Sequence, residues 1–370
     1  MVPLDAKHSL AIPAASAIAV HDNEVPSFAG PELDRLYGSL YSSLAYFRTC
    51  DSLDGVSTYV ARKDGDVTAV FLFRREGDRI RVVNEGMRLD ADEVARFANC
   101  MFAASPLVDV VEFHAIQTMA SDIPLLHLQS FCAEDFIAAL PATPDEYLAR
   151  LGPATRKNLK RHRHRLERDF PDFRYQVFER GDADERLIRD IIELSRRRIT
   201  AKGMAFAIDE EEARRIIAVV REAGAVLAAT VDGHLCGGTV MYRFGKNCIS
   251  RVNAHDREFD AYRLGMICCY LAVCHAIEAG AERFHLGHSW YDYKTALLGQ
   301  FQPFHHLALY RSPGALARHA GPALRNACEG YALSANRWLV HHADQDRSLP
   351  WRMAGRMLAA WRAVKGVRSR

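Results

Sequence analysis

One order of predicted elements occurs twice along this chain, and it limits the possible folds more than any other feature. Asp64-Gly65 and Asp232-Gly233 each separate two β-type runs, roughly 170 residues apart. Phe113-His114 and Phe284-His285 close a later β-type run in each copy, at nearly the same offset. Because the Asp-Gly and Phe-His dipeptides occur in the same order in both copies, they indicate a tandem duplication. An alternative is two unrelated αβ segments that share a common turn dipeptide.

Each copy is predicted to be a mixed, mostly antiparallel sheet flanked by helices. Residues 57–83 alternate β-type runs with short turns, and helical spacing follows over 91–104. The second copy repeats this over 225–253 and continues into an apolar helix at 266–279. The fold class is therefore α/β (α+β), with two such units and additional C-terminal helices.

The predicted domain organisation has four parts. Residues 1–30 show no period and are expected to be a flexible tail, 31–140 form the first unit and 141–312 the second. Residues 313–370 form a basic helical extension. Its last part carries Met353, Met357, Trp361 and Val364 on one face and many basic residues elsewhere. This pattern predicts a helix that either packs on the protein with its basic face in solvent or makes weak contact with a membrane surface.

Composition excludes several classes. Hydrophobic residues make up 49% and charged residues 25%, which is typical of a packed globular protein and excludes a disordered chain. The formal net charge of +2 provides no global field for nucleic acid or membrane. No stretch reaches the ~20 apolar residues that a membrane-spanning helix needs.

Cysteine and histidine usage predicts the compartment and argues against a metal site. The nine cysteines form no Cys-x-x-Cys pair and lie mostly in apolar runs, which favours a reducing, cytoplasmic environment. The sixteen histidines show no His-Glu-x-x-His spacing. We therefore expect no metal.

Unusual polar residues follow two predicted strands of the second copy. They are Arg251, Asn253 and His255 after one strand, and His288, Trp290, Tyr291, Tyr293 and Lys294 after the next. The corresponding positions of the first copy, such as Asn84-Glu85-Gly86, are plainer. Since loops at strand ends carry function, the second copy is predicted to be the active one.

A glycine lies at the start of the apolar helix of the second copy. Gly265 would let a ligand approach the backbone, where free N–H groups and the helix dipole favour phosphate. Arg263 would add a charge-assisted contact. A single glycine before a helix is also typical of an ordinary turn.

The order of these motifs resembles the GNAT acyltransferase branch that includes cellulose-biosynthesis-type and Fem-like proteins. The segments that carry the resemblance are Asn253–Met266, Ala276-Ile-Glu-Ala-Gly280, Arg283-Phe-His-Leu-Gly287 and Tyr291-Asp-Tyr-Lys294. The basic segment Arg156–Arg161 is similar to the region that precedes the catalytic half in this branch. The resemblance covers residues 140–312 and extends to the first half only through the repeated topology.

The resemblance implies tandem GNAT-like domains and an attack by an amine on an activated acyl group. It places the acyl carbonyl near the backbone of Val252 and Asn253. The pyrophosphate of acyl-CoA would lie on the turn formed by Arg263, Leu264, Gly265 and Met266. Lys294 would stabilise negative charge.

The remaining roles follow from side-chain chemistry. His288 or His255 could accept a proton near neutral pH, and Tyr291 or Tyr293 could protonate the leaving group. Arg251, His255 and Trp290 are the predicted substrate contacts. For any one of these residues alone, the simpler interpretation is aromatic packing under the loop for Tyr291 and Tyr293 and a solvated surface position for Lys294; the group together favours a functional role.

Three functions stay open at this stage. The first is an N-acyltransferase that uses acyl-CoA, or an acyl carrier protein, and a primary amine from a small-molecule, envelope or natural-product precursor. The second is a transferase that uses aminoacyl-tRNA. It stays open because the loop that binds acyl-CoA in GNAT proteins is shortened here to Arg263-Leu264-Gly265, which puts CoA as the donor in question. The third is a non-catalytic pair of units that only binds a ligand. The sequence does not indicate an oligomeric state.

Overall fold

A computed structural model describes residues 16–50 and 52–345. Within these residues, 13 strands form one continuous sheet. The strands are β1 (Ser16–His21), β2 (Ser57–Lys63), β3 (Asp66–Glu76), β4 (Arg79–Val82), β5 (Met87–Arg88), β6 (Val110–Gln117), β7 (His127–Ala139), β8 (Arg174–Glu179), β9 (Gly224–Val231), β10 (His234–Phe244), β11 (Asn247–His255), β12 (Arg283–His285) and β13 (Gln300–Tyr310).

Helices connect and cover these strands. They are α1 (Ala29–Leu36), α2 (Leu44–Cys50), α3 (Ala91–Ala104), α4 (Pro144–Arg150), α5 (Pro153–Asp169), α6 (Glu185–Thr200), α7 (Glu210–Ala223), α8 (Leu264–Glu278), α9 (Asp292–Ala296), α10 (Pro313–Arg318) and α11 (Ala320–Gln345). Short 3₁₀ turns occur at Leu40–Ser42 and Arg257–Tyr262, among others.

The duplication is present as one element order used twice. The first unit runs β1-α1-α2-β2-β3-β4-β5-α3-β6-β7, and the second runs β8-α6-α7-β9-β10-β11-α8-β12-α9-β13, so the two orders differ only at β5 and α9. In each unit the meander is antiparallel and its last strand pairs in parallel with the strand after the helix. The predicted mixed, mostly antiparallel sheet with flanking helices is confirmed.

The expected flexible tail over residues 1–30 is wrong from residue 16 onward. Residues 16–21 form β1, which pairs antiparallel with β2. Ile18 and Val20 remain exposed on this edge strand. Main-chain hydrogen bonds rather than an apolar face stabilise β1, so the sequence carries no alternating signal there. β8 is likewise a strand that lies outside the β-type runs predicted from the sequence.

The two units exchange their last strands. β7, which ends the first unit, pairs with β12 of the second, and β13, which ends the second unit, pairs with β6 of the first. β7 and β13 also pair with each other and join the two halves of the sheet. A boundary near residue 140 therefore divides the chain by sequence, while each structural unit contains one strand from the other.

Aromatic packing supports both halves of the sheet. In the first unit, Phe97 of α3 packs edge-on against Phe71 and Phe113. In the second, α8 packs on a core that includes Phe136 and Phe284, both fully buried. Because Phe136 belongs to β7, the exchanged strand contributes directly to the core of the second unit.

The C-terminal helices are attached to the first unit by an ion-pair network. Arg318 Nε and Nη2 donate to the two carboxylate oxygens of Asp109 at 2.8 and 2.7 Å. His319 Nε2 lies 3.2 Å from Asp78 Oδ2. The two carboxylates and the imidazole are close enough for a metal ion, but Arg318 already neutralises Asp109. The predicted basic helix with Met353, Met357, Trp361 and Val364 lies outside the described residues.

Among the described residues, none of the helices has the length and apolar character that crossing a membrane requires. The eight cysteines whose pairing the structure describes are free thiols.

Candidate functional site

The second unit contains a gap in its sheet. β11 and β12 pair in parallel only from Asn247↔Arg283 to Ile249↔His285 and then separate. β11 continues to His255 along β10, so residues 250–255 have no strand partner on the side of β12 among the described residues. Main-chain groups along this edge are available to a ligand.

The first unit closes the equivalent gap. β4 and β6 pair from Arg79↔Val110 to Arg81↔Glu112 and also separate. The chain then returns as β5, which pairs with the far end of β6 at Met87↔Ile116. Gly86 N also donates to Ala115 O at 2.9 Å. The difference supports the prediction that the second copy is the active one.

A β-bulge shapes the edge of β11. Val240 pairs with Val252 and Met241 with Ser250, so Arg251 is the additional residue. Its guanidinium donates to Glu212 Oε1 of α7 at 2.6 Å. Arg251 thus lines a cavity of about 340 Å³ between α7 and the turn at Leu40–Ser42. The side chain of Val252 is buried, which leaves its backbone as the group available for the predicted carbonyl contact.

The turn before α8 has the geometry of a helix start with a left-handed residue. Arg263 precedes the helix at φ 54° and is exposed. Leu264 is fully buried, so only its backbone can meet a ligand. Met266 is half-buried, and its N–H donates to Arg263 O at 2.9 Å.

Gly265 is required by the packing of His255. A Cβ at this glycine would lie 2.6 Å from His255 Nδ1 and 2.9 Å from Cε1. His255 is buried and its Nε2 is 2.8 Å from Asp260 Oδ1. Burial lowers the pKa of His255, against the opposing effect of Asp260. The glycine therefore has a structural reason that does not involve phosphate.

Asn253 connects three elements at the open end of the gap. Its Nδ2 donates to Gly265 O at 3.0 Å, and Thr239 Oγ1 donates to its Oδ1 at 3.2 Å. Its side chain also lies near the Tyr293 hydroxyl, where it opposes the effect of burial on the pKa of that group. The predicted donor-binding residues of β11 and α8 and the predicted catalytic residues near α9 are therefore brought together.

Lys294 is buried, which excludes the alternative of a solvated surface lysine. Only 2% of the residue is exposed, and Nζ donates to Gly287 O at 2.7 Å and to His288 O at 2.6 Å. The ammonium lies 5.4 Å from the centre of the Phe136 ring. Burial lowers the pKa of Lys294 to about 8, against the opposing effect of Asp135.

The other predicted residues of this loop surround Lys294. Removal of water lowers the pKa of His288, and Lys294 and Arg251 lower it further, although the residue keeps an exposed surface. Tyr291 is 45% exposed and stacks on Tyr293 with ring centres 6.1 Å apart. Burial raises the pKa of Tyr293. Trp290 is half-buried and packs edge-on against Phe136 at 5.2 Å.

Sequence reasoning missed polar residues that reach the site from distant elements. Arg198 of α6 donates to Asn253 O at 3.4 Å, and its Nε is buried without a hydrogen-bond partner among the described residues. Asp135 of β7 is 2.7 Å from His285 Nδ1. Glu134, also of β7, accepts from Ser289 N at 3.1 Å. No local sequence pattern marks these residues as part of a site, because Arg198 lies on an amphipathic helix and the two acidic residues lie in a strand of the first copy.

The basic helix α5 lies beside the start of α8. The Arg165 guanidinium lies 4.8 Å from the centre of the Tyr262 ring, and Phe170 packs on Phe259 and Tyr262. Burial lowers the pKa of His162, and Arg161 and Arg263 lower it further. Cations from α5 and from the turn before α8 thus share one surface.

Comparisons with known proteins agree with the fold. Residues 153–295 match the family model described as Acetyltransferase (GNAT) domain. No curated protein sequence matches the chain. The structure is similar to that of FemX, with a TM-score of 0.58 at 10% identity, covering 80% of this chain and 98% of FemX.

Two further solved structures are similar. A conserved protein of unknown function from Bacteroides thetaiotaomicron VPI-5482 has a TM-score of 0.50 at 12% identity, covering 77% of this chain and 95% of that protein. A tandem GNAT protein from the clavulanic acid biosynthesis pathway has a TM-score of 0.40 at 14% identity, covering 81% and 99%. At 10% and 12% identity the similarities to FemX and to the Bacteroides protein show the fold alone.

Proposed function

We propose, on the premise that residues 153–295 form a GNAT acetyltransferase domain, that this chain is an N-acyltransferase that transfers an acyl group from acyl-CoA to a primary amine. The observation that carries the proposal is the open edge of β11 beside the start of α8. An acyl thioester can lie along this edge while its phosphates meet the turn before the helix. β5 occupies the same position in the first unit.

The reaction assigns a role to each side of the gap. The amine nitrogen attacks the acyl carbonyl, a C–N bond forms, the C–S bond breaks, and the CoA thiolate takes a proton. A main-chain N–H near Val252 would stabilise the carbonyl oxygen as it becomes negative. Lys294, with two of its three donors bound to carbonyls, has one donor left for developing charge.

The pKa shifts suit the proton transfers. A lowered pKa keeps His288 neutral near pH 7, so it can accept the proton that the amine loses. A raised pKa keeps the Tyr293 hydroxyl protonated, so it can donate to the leaving thiolate. Tyr291, stacked on Tyr293, is the alternative donor at the exposed side of the loop. Arg251, His255 and Trp290 are kept as the proposed acceptor contacts.

The test combines donor binding with turnover. We expect acetyl-CoA or a longer acyl-CoA at 100 times its Kd to stabilise the protein by about 2.7 kcal/mol. Release of free CoA with a panel of primary amines should fall about 10²-fold or more in Tyr293→Phe if its hydroxyl is the proton donor. Tyr262→Phe, which loses a hydroxyl bonded to Asp169 outside the gap, is the matched control.

A second candidate uses a macromolecular donor. The position of α5 beside the start of α8 favours it, because Lys157, Lys160 and Arg161 are close in sequence on the same helix. Stabilisation by aminoacyl-tRNA that weakens steeply with salt, without stabilisation by acyl-CoA, would support this candidate. Stabilisation by an acylated acyl carrier protein would indicate that the donor acyl group is bound to that protein. Binding of acyl-CoA without transfer to any amine would instead support the non-catalytic pair.

A further inference from the structure

We propose that β7, the strand exchanged from the first unit, positions the loop of residues 287–289 for acyl transfer, with Asp135 as the main positioning residue. The inference rests on the proposed function, because this loop contains His288 and is held by Lys294. It gives the first unit, whose own gap is closed, a direct part in the reaction.

Side chains of β7 hold the loop from one side. Asp135 Oδ1 accepts from Gly287 N at 3.0 Å and from Phe136 N at 2.7 Å. Glu134 Oε1 accepts from Ser289 N at 3.1 Å. The two adjacent acidic residues thus bind two of the three N–H groups of the loop. Hydrogen bonds to carboxylates are stronger than neutral ones.

Lys294 holds the same loop through its carbonyls. Its Nζ donates to Gly287 O and His288 O, so the Gly287 residue is bound by a carboxylate at its N–H and by an ammonium at its C=O. Gly287 and Ser289 have φ of 80° and 72°. Since this region is unfavourable for serine, external hydrogen bonds are needed to keep the loop in one conformation.

The second carboxylate oxygen of Asp135 accepts a hydrogen bond from His285. His285 Nδ1 lies 2.7 Å from Asp135 Oδ2, and the side chains are 15% and 18% exposed. A carboxylate only accepts, so Nδ1 carries the hydrogen and Asp135 is fixed between β12 and the loop. β12 pairs with β7 over only three residues, from Arg283 to His285. Beyond the end of β12, main-chain bonds from Leu286 N to Phe136 O at 2.7 Å and from Phe136 N to Gly287 O at 3.3 Å continue the connection, and the carboxylate adds side-chain contacts to it.

Two substitutions separate the position of the loop from the charge of Asp135. Asp135→Ala removes both carboxylate oxygens and leaves the main-chain bond from Phe136 N to Gly287 O in place. Asp135→Asn keeps an oxygen for Gly287 N and Phe136 N but reverses the hydrogen bond to His285. Glu282→Gln is the control, since Glu282 pairs with Lys246 at the opposite end of β12. The readouts are kcat and KM for acetyl-CoA with an amine, and hydrogen exchange of the Gly287 and Ser289 amides.

We expect Asp135→Ala to lower kcat about 10- to 100-fold while KM for acetyl-CoA changes less than about 2-fold, because the donor turn at α8 is untouched. The Gly287 amide should exchange faster in this variant. Asp135→Asn should recover most of the lost kcat and most of the lost protection from exchange. Glu282→Gln should match the wild type in both measurements. Wild-type exchange and turnover in Asp135→Ala would overturn the proposal, as would equal loss in both Asp135 variants. Faster exchange in a protein that transfers no acyl group would support loop positioning and refute the proposed function.

Discussion

Gly265 shows how one residue can be explained by packing as well as by ligand binding. Its missing Cβ makes room for the His255 ring, which is held by Asp260 and cannot move freely. Gly265→Ala should therefore destabilise the protein by about 1–3 kcal/mol through overpacking. In a His255→Ala background, urea unfolding should show that Gly265→Ala lowers the free energy of unfolding by less.

Gly321 provides the matched control for that experiment. It lies in α11, where an added Cβ would meet nothing within 4 Å. Gly321→Ala should change the free energy of unfolding by less than about 1 kcal/mol, because the entropy gained with alanine is opposed by the steric restriction on a residue that precedes Pro322. An equal cost of Gly265→Ala with and without His255 would show that the ring is not the reason for the glycine.

Lys294 makes stability depend on pH in a defined direction. Its pKa is about 8 in the folded protein and near 10.5 when unfolded, so between these values the unfolded chain binds more protons. Stability should then rise as pH increases from about 8 to 10.5. Lys294→Met should lack this contribution, which chemical unfolding at several pH values would measure. Parallel pH profiles for both proteins would contradict the burial of an ammonium.

At the level of elements, local pattern was sufficient for the meanders and helices. Strands predicted around Asp64-Gly65 and Asp232-Gly233 occur where turn chemistry placed them, because an Asp-Gly turn and flanking β-branched runs act locally. β1 and β8 were missed, since an edge strand with exposed side chains has no apolar period. No comparable local pattern distinguishes β5, which closes the gap of the first unit, from the segment after β11, where the gap stays open.

The residues of the candidate site also fall into those that the sequence predicted and those that it missed. Asn253, Tyr293 and Lys294 follow strand ends in the sequence, and the structure brings them together. Asp135 and Arg198 reach the site through long-range pairing and helix packing, so no window of the sequence contains their partners. The roles predicted for the site residues stay predictions until turnover is measured.

For the whole molecule, the strand exchange makes the two units one folding unit. A fragment of residues 141–312 would lack β7, and with it Phe136, which packs in the core of the second unit. We expect this fragment to remain unfolded or to aggregate, because it exposes an unpaired strand edge and an apolar surface. The full chain should unfold in a single transition by circular dichroism and by fluorescence. A folded fragment with native spectra would contradict this.

The late position of β13 also affects how the protein emerges from the ribosome. β6 ends at Gln117, but the strand that pairs with it begins at Gln300. Translation at 5–20 residues per second leaves the nascent first half with an open β6 edge for roughly 10–40 s. During that time a second nascent chain can offer the same β13, and a polysome would then yield intertwined dimers. Rapid synthesis and chaperone binding should therefore raise the fraction of correctly closed monomers.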